Sequence, residues 1–262
     1  MARSEPRPAI TRDAYDAVLL DLDGVITDTA KLHEASWKRT FDAYLGGRAT
    51  QRGEPLQPFG HADYRLYVDG KPRSDGVRDF LASRGISLPE GTPDDPPEAE
   101  TVGGLGNRKN MLLNAVIAEE GVHAYPGSVE LIRWLRERGF KLAVVTSSRN
   151  CAAVLKAAGL DTHFDAQVDG NTIASRRLAG KPAPDTFLMA AGLLGCAPAR
   201  AVVVEDAIAG VEAGRNGGFG LVVGVARKGD AAELMRSGAH AVVDDLGVLV
   251  PPPPGAADGP AQ

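Results

Sequence analysis

Short, unbroken apolar runs recur along the 262-residue chain and constrain its fold more than any other feature. The clearest are AVLLD (17–21), KLAVVT (141–146), AVVVE (201–205), GLVVGV (220–225) and AVVDD (241–245). Continuous rather than alternating apolar runs are typical of strands buried on both faces of a parallel sheet. Helical patterns lie between them, at 128–140, 150–160, 184–195 and 207–218. The alternation predicts an α/β fold with a doubly wound parallel sheet.

Residues 31–120 interrupt this alternation. They contain three helical patterns, HEASWKRTFDAYLG, DGVRDFLASRGI and NRKNMLLNAVIAEEG, together with the loop LPEGTPDDPPEAET, and no strand-like run. We therefore predict a helical cap domain at 31–120, inserted into a core formed by residues 1–30 and 121–250. The ending PPPPGAADGPAQ has almost nothing to bury, so we predict a disordered tail at 251–262.

Composition excludes several classes of protein. The net charge is −5 and 44% of the residues are hydrophobic, without the polybasic runs of a nucleic-acid or membrane-surface protein. No apolar stretch approaches the roughly 18 residues of a membrane span, and the first residues lack the apolar region of a secretory signal. Two cysteines in a chain of this length fit a reducing compartment. We expect a cytoplasmic protein that binds neither nucleic acid nor membranes.

Polar side chains follow four of the predicted strands. In chain order these are Asp21 and Asp23, then Thr146, Ser147 and Ser148, then Lys181 in GKPAPD after a weaker strand candidate at AQVDG, and finally Glu205 and Asp206. Because the carboxyl ends of parallel strands share one crevice, these groups are expected to converge. Carboxylates, hydroxyls and one ammonium suit a phosphoryl group together with a divalent metal ion.

Each group has a chemical role in such a site. Mg²⁺ takes few carboxylates, and Asp21, Asp206 and the main-chain carbonyl of Asp23 are its candidate ligands. Asp21 can act as a nucleophile that forms an aspartyl-phosphate, and Asp23 can transfer protons to and from the substrate oxygen. Lys181 and Thr146 can hold the phosphoryl oxygens. Taken alone, each motif is more often a loop or a helix cap than a functional site. The four in this order indicate the site.

These motifs resemble those of the haloacid dehalogenase (HAD) superfamily of aspartate-nucleophile phosphotransferases. DLDGVITDT, VVTSSRN, GKPAPD and VVEDAIAGV match its four motifs in order, and the chain is most similar to the β-phosphoglucomutase group, which has a helical cap. The resemblance implies a Rossmann-like core of the HAD type and a Mg²⁺ cofactor. It also implies that Asp21 is the nucleophile, that Asp23 is the general acid and base, and that Glu205 supports the metal site.

The resemblance further implies a substrate site that reaches into the cap. The residues expected to bind the sugar and its phosphates are Thr29, His33, Arg73, Lys109, Thr146, Ser147, Ser148, Arg149, Asn150 and Lys181. Arg73 and Lys109 match cap cations that hold the phosphate that is not reacting; ordinary solvated charges are the alternative for both. His33 is equally consistent with helix packing. Asp69 and Lys71 depart from the pattern of the group, which leaves the identity of the sugar open.

Two reactions fit the predicted residues. In a mutase, the aspartyl-phosphate donates to a hexose phosphate such as β-glucose 1-phosphate, and the resulting bisphosphate returns its other phosphate to Asp21. In a phosphatase, water attacks the same intermediate. The cap cations favour the mutase, and a cap that must swing favours a monomer. A receiver-like signalling domain is a remote alternative, because its accepting aspartate follows a middle strand and no helical insertion follows its first strand.

Overall fold

Six parallel strands form one sheet in the computed structural model, which describes residues 8–53, 55, 57–227 and 229–252. The strands are β1 (Ala17–Leu20), β2 (Lys141–Val145), β3 (Ala166–Val168), β4 (Ala201–Glu205), β5 (Leu221–Val225) and β6 (Ala241–Val243). Their order is β3-β2-β1-β4-β5-β6, and every neighbouring pair is parallel. The doubly wound α/β fold is confirmed. Of the predicted tail, residues 253–262 lie outside the described residues.

Helices fill the chain between β1 and β2. They are α1 (Ala30–Arg52), the short α2 (His61–Asp63) that continues as a π-helix (Tyr64–Val68), α3 (Arg73–Ser83), α4 (Val102–Glu120) and α5 (Pro126–Glu137). Gly53 ends α1 in the left-handed conformation that glycine adopts without strain. The Thr101 side chain accepts a hydrogen bond from the Gly104 amide and so starts α4. The segment 61–68 was not predicted to be helical.

The remaining helices cover the two faces of the sheet. They are α6 (Cys151–Ala157), α7 (Gly170–Arg176), α8 (Asp185–Leu193), α9 (Ile208–Asn216) and α10 (Ala231–Arg236), with 3₁₀ turns at Pro198–Arg200 and Leu246–Leu249. Alternate residues of β1 enter opposite clusters: Val18 and Leu20 join one, and Ala17 and Leu19 join the other. Burial on both faces accounts for the unbroken apolar runs. No helix of the described residues is long and apolar enough to cross a membrane.

The helical segment after β1 has an apolar core of its own. A third cluster is built from residues between 37 and 105 and centres on four aromatic rings. Phe41 stacks on Trp37 with ring centroids 5.0 Å apart and packs against Phe80 at 4.2 Å. Two stretches of chain, one before and one after this segment, join it to the sheet and lie side by side. The Asp28 amide donates to the His123 carbonyl, and the Tyr125 amide donates to the Ile26 carbonyl.

An ionic contact also connects the helical segment to the sheet domain, away from these two stretches. Arg65, in the π-helix, faces two carboxylates at the start of α10. Its guanidinium lies 3.6 Å from Asp230 and forms an ion pair with Glu233. The Asp230 side chain is almost fully buried, so this contact holds the helical segment against the sheet domain in the arrangement described here.

Candidate active site

Lys181 stands at the centre of a buried charge network beneath the carboxyl ends of β1, β2 and β4. Its Nζ donates to Asp21 Oδ1 at 2.6 Å, to Glu205 Oε1 at 2.5 Å and to the Val145 carbonyl at 3.2 Å. Burial alone would lower the pKa of Lys181, but Asp21 and Glu205 outweigh it and raise that pKa above its ordinary value. The lysine is therefore a fixed cation that holds two strand-end carboxylates in place.

Three buried carboxylates form a group that fits a metal ion. Asp21, Glu205 and Asp206 each present an oxygen, and these oxygens lie within 4.8 Å of one another. Burial raises the pKa of Asp21 well above its usual range, with Glu205 and Asp23 adding to the effect and Lys181 opposing it. Three carboxylates around the single Lys181 ammonium form an oxygen-rich set that suits a hard divalent cation.

Gly24 makes room for this group. It follows Asp21 and Asp23 at φ +91°, a conformation that residues with a side chain rarely adopt. A Cβ placed there would overlap the carboxylate of Asp206. The sequence therefore needs glycine at this turn for both its backbone conformation and its close approach to Asp206.

Asp23 points away from Lys181, toward the helical segment. Its carboxylate accepts a hydrogen bond from Thr29 Oγ1, and Thr146 Oγ1 lies 3.4 Å from its Oδ2. His33 Nε2 is 3.4 Å from its Oδ1. Thr29, which was predicted to contact the substrate, is fully buried and does not line the pocket, whereas Asp23, to which it bonds, does. A carboxylate placed above Asp21 and surrounded by hydroxyls and an imidazole suits proton transfer.

His33 and Lys109 extend this chain of contacts across the pocket. Lys109 Nζ donates to His33 Nδ1 at 3.1 Å and lies 5.3 Å from the centre of the Trp37 ring. Burial, with help from Lys109 and Arg73, lowers the pKa of His33 to about 4, although Asp23 opposes the shift. His33 is thus neutral at pH 7, with the proton on Nε2 facing Asp23, because Nδ1 accepts from Lys109.

The wall of the pocket formed by α3 and α4 carries buried cations. Burial lowers the pKa of Lys109 to about 7, and Arg73 adds to the effect while Asp23 opposes it. Burial and Arg149 lower the pKa of Arg73 to about 10. Arg73 Nη1 donates to the neutral Asn107 side chain at 3.1 Å, and no carboxylate of the described residues forms an ion pair with Arg73 or Lys109. Buried cations that repel one another without an acidic partner suit an anionic ligand.

The serines after β2 and Asn150 mainly connect the two parts of the chain. Ser147 Oγ donates to the Gly70 carbonyl at 2.8 Å, and Ser148 Oγ accepts from the Asn150 amide. The Asn150 side chain donates to Asn110 at 3.1 Å and to Asn114 at 3.0 Å, both on α4.

One pocket between the helical segment and the sheet brings most predicted residues together. Asp21, Asp23, His33, Arg73, Lys109, Thr146, Ser147, Ser148, Arg149 and Asp206 line it. Lys181 and Glu205 lie beneath its floor, and Asn150 lies beside it.

Sequence reasoning missed Tyr64, which also lines this pocket. Burial raises the pKa of Tyr64 well above its usual value, and Asp69 and Asp206 add to the shift. Its hydroxyl bonds to Asp69, one of the two residues noted as departures from the family pattern. A single tyrosine in a short helical turn gives no periodic signal; its closeness in sequence to Asp69 was the one available hint.

Comparisons with known proteins agree with this geometry. The profile of the haloacid dehalogenase-like hydrolase family matches residues 15–218. The chain belongs to this family. It is 52% identical over 238 residues to a β-phosphoglucomutase of Mycobacterium bovis, covering 89% of this chain and 91% of that protein. A phosphorylated carbohydrates phosphatase of Thermotoga maritima is 27% identical and covers 89% of this chain and 96% of its own length.

A solved structure supports the same assignment. The β-phosphoglucomutase of Clostridium difficile superposes with a TM-score of 0.71 at 26% identity, covering 90% of this chain and 93% of that one. Family membership and the acidic pocket together identify the protein as an enzyme that transfers or hydrolyses phosphoryl groups.

Proposed function

We propose that this enzyme is a β-phosphoglucomutase that interconverts β-glucose 1-phosphate and glucose 6-phosphate. The observation that carries the proposal is a pocket with two unlike ends. Asp21 and Asp23 line it from the segment that follows β1, and Arg73 and Lys109 line it from α3 and α4 of the helical segment. A mutase must hold a second phosphate while the first reacts, whereas hydrolysis of a monophosphate has no such need. The high identity to the Mycobacterium bovis β-phosphoglucomutase supports the same choice.

Asp21 is the nucleophile of both half-reactions. In the first, the sugar hydroxyl attacks the phosphorus of phosphorylated Asp21, and Asp23 takes the hydroxyl proton. In the second, Asp21 attacks the other phosphate of the bisphosphate, and Asp23 returns the proton to the leaving oxygen. Lys181 and Thr146 stabilise the phosphoryl oxygens during both transfers. The contacts of Asp23 with Thr29 and neutral His33 support a carboxylate held ready for this proton.

Asp21, Asp206 and the main-chain carbonyl of Asp23 would hold Mg²⁺, with Glu205 beside them. When bound, the ion neutralises the carboxylates and the charge that develops on the phosphoryl oxygens. The close grouping of Asp21, Glu205 and Asp206 supports this assignment.

The chain divides into a core (1–30 and 121–250) and a helical cap (31–120). The separate aromatic cluster of the cap supports this division. Closure of the cap over Asp21 excludes water from the aspartyl-phosphate, and its motion suits a monomeric, cytoplasmic enzyme. The phosphate and sugar contacts assigned to Ser147, Ser148, Arg149 and Asn150 belong to the same proposal.

A product assay tests the reaction directly. Purified protein is incubated with β-glucose 1-phosphate, Mg²⁺ and a trace of glucose 1,6-bisphosphate, and both glucose 6-phosphate and inorganic phosphate are quantified. We expect glucose 6-phosphate to exceed phosphate by a wide margin. Steady phosphate release with little glucose 6-phosphate would establish the phosphatase instead. Asp21→Asn should abolish turnover, and Asp13→Asn, at an exposed aspartate near β1, provides the matched control.

A further inference from the structure

A set of hydrogen bonds joins Arg73 to the loop that precedes α4. This cap loop, residues 88–101, has the sequence LPEGTPDDPPEAET. Asn107, on the second turn of α4, lies between the loop and Arg73. Its side-chain oxygen accepts from Arg73 Nη1 at 3.1 Å, and its side-chain nitrogen donates to the carbonyls of Pro93 and Asp95 at 2.9 Å and 2.8 Å. Among the described residues, Asn107 is the only hydrogen-bond partner of the Arg73 side chain.

The three partners of Asn107 determine which way its amide points. The amide nitrogen carries two hydrogens, and both are taken by carbonyls of the cap loop, whereas the guanidinium is a donor and needs an oxygen. With the amide turned over, its oxygen would face two carbonyls and its nitrogen would face a cation, so all three contacts would be repulsive. The cap loop therefore dictates that an oxygen meets Arg73.

The cap loop is itself anchored to the start of α4. The Asp95 carboxylate accepts hydrogen bonds from Thr92 Oγ1 at 2.7 Å and from Thr101 Oγ1 at 2.5 Å. The backbone amides of Val102 and Gly103, in the first turn of α4, donate to carbonyls of the loop, both at 3.0 Å. These bonds fix the loop carbonyls relative to the helix that carries the amide.

Two glycines in the first turns of α4 permit this close packing. A Cβ at Gly103 would overlap the carbonyl oxygen of Thr92, in the cap loop. A Cβ at Gly106 would lie 2.8 Å from Arg73 Cδ. Glycine weakens a helix by about 1 kcal/mol relative to alanine, so these positions carry a cost that the contacts with the loop and with Arg73 explain.

Resting on the proposed function, we propose that Asn107 is a positioning residue for the phosphate that is not reacting. The cap loop orients the Asn107 amide, and the amide oxygen holds the Arg73 guanidinium in place. A neutral oxygen suits this task, because a carboxylate would form an ion pair with Arg73 and compete with the phosphate. The cap loop thus contributes to substrate binding, although neither Asn107 nor any residue of the loop lines the catalytic pocket between cap and sheet.

A double-mutant cycle tests whether Asn107 acts through Arg73. Asn107→Leu removes the amide at similar volume. With Mg²⁺ and a trace of glucose 1,6-bisphosphate present, we expect kcat/KM for β-glucose 1-phosphate to fall about tenfold, as loss of one hydrogen bond to a charged group would. In an Arg73→Gln background, the same substitution should change kcat/KM by less than about twofold, because the side chain that it positions is gone.

Acetyl phosphate separates this role from damage to the fold. It has no second phosphate, so its hydrolysis by Asn107→Leu should stay within about twofold of the wild type. Arg108→Met is the matched control, because Arg108 Nε also donates to a carbonyl of the cap loop, that of Pro97, at 2.7 Å. Its side chain forms no hydrogen bond with Arg73, so both activities should stay within about twofold of the wild type.

Asn107→Asp keeps the shape of the side chain and remains informative if Asn107→Leu fails to fold. Its carboxylate would pair with Arg73 and face the two carbonyls of the cap loop. We expect kcat/KM for β-glucose 1-phosphate to fall at least about tenfold, mainly through KM, and to fall less in the Arg73→Gln background.

Two results would overturn the role of Asn107. One is a kcat/KM for β-glucose 1-phosphate within about twofold of the wild type in both Asn107 variants. The other is an equal loss in the wild-type and Arg73→Gln backgrounds, which would mean that Asn107 supports the cap without acting through Arg73. Failure of the proposed function looks different, because the wild-type enzyme then releases inorganic phosphate in place of glucose 6-phosphate, whichever residue stands at position 107.

Discussion

The two ends of the catalytic pocket differ in whether their buried cations form ion pairs. At the core end, Lys181 bonds to both Asp21 and Glu205, so the buried cation is paired before any ligand arrives. At the cap end, Lys109 and Arg73 contact neutral groups, and burial lowers the pKa of both. The core end is preorganised for chemistry, whereas the cap end leaves its charge for the substrate to neutralise.

The largest effect is expected when Lys181, the cation of the core end, is removed. Lys181→Met leaves the Asp21 and Glu205 carboxylates buried without their cation, and loss of one partner of a buried ion pair costs about 3 to 5 kcal/mol. We expect that loss of unfolding free energy in urea titrations, together with loss of activity. Lys156→Met, at an exposed lysine of α6, is the control. A Lys181→Met protein within about 1 kcal/mol of wild type would contradict the buried network.

Removal of a cation from the cap end should affect catalysis more than stability. Arg73→Gln removes a cation that makes no ion pair in the described residues, so we expect little loss of stability and a decrease in kcat/KM for β-glucose 1-phosphate of about ten- to a hundredfold. Acetyl phosphate has no second phosphate, so its hydrolysis should fall far less. Arg133→Gln, on the exposed face of α5, controls for loss of surface charge. Equal losses with both substrates would refute a role at the distal phosphate.

The pH dependence of folding stability tests the buried charge of Lys109. Its pKa of about 7 in the folded protein lies below the ordinary 10.5, so between these values the unfolded chain holds more protons and stability rises with pH. Lys109→Met removes that dependence. It should stabilise the ligand-free protein at pH 7 and below by about 2 to 4 kcal/mol, and the gain should shrink toward pH 10. Substrate affinity should fall, because the phosphate loses a cation.

Urea unfolding of Lys109→Met and wild type at pH 7 and pH 9 measures this difference, with Lys156→Met as the exposed control. A Lys109→Met protein that is less stable than wild type at pH 7 would show that Lys109 contributes to stability through packing on Trp37 rather than opposing it through its buried charge.

The smallest effect concerns His33. Because its pKa is lowered to about 4, it stays neutral above pH 5 and gains a proton only as the pH falls through 4. We expect His33→Gln to reduce kcat, since the contact with Asp23 is lost, but the ratio of wild-type to variant kcat should stay within about twofold from pH 5.5 to 7.5. An inflection in that ratio near pH 6.5 would mean that His33 titrates during catalysis.

The sheet and its catalytic edge were predictable because their signals are local. Unbroken runs such as AVVV in β4 identify strands covered on both faces, and parallel strands bring Asp21, Lys181 and Asp206 to one edge whatever lies between them. Even the weak strand candidate near Gln167 is β3. The α7 and α10 helices were missed because each buries a single residue, Ile173 or Leu234, which leaves no periodic apolar pattern.

The cap's contacts with the core were not predictable, because they depend on how two separately packed parts meet. Nothing in the sequence indicates that Asn150 bonds to Asn110 and Asn114, or that Ser147 bonds to the Gly70 carbonyl. Tyr64 reaches Asp69 and the pocket through a π-helical turn that has no periodic signature. Such contacts join residues far apart in the chain, and their partners are known only from coordinates.

The contact of Arg65 with Asp230 and Glu233 has a consequence for how the enzyme responds to its medium. Dissolved ions weaken attraction between charged groups, particularly where one partner is as solvent-accessible as Glu233, and leave amide–amide contacts such as those of Asn150 nearly unchanged. Raising the ionic strength is therefore expected to weaken the contact of Arg65 with Glu233, on the α10 side of the cap, more than the Asn150 contacts on the α4 side. Salt would set the direction from which solvent reaches Asp21, as well as the frequency of opening.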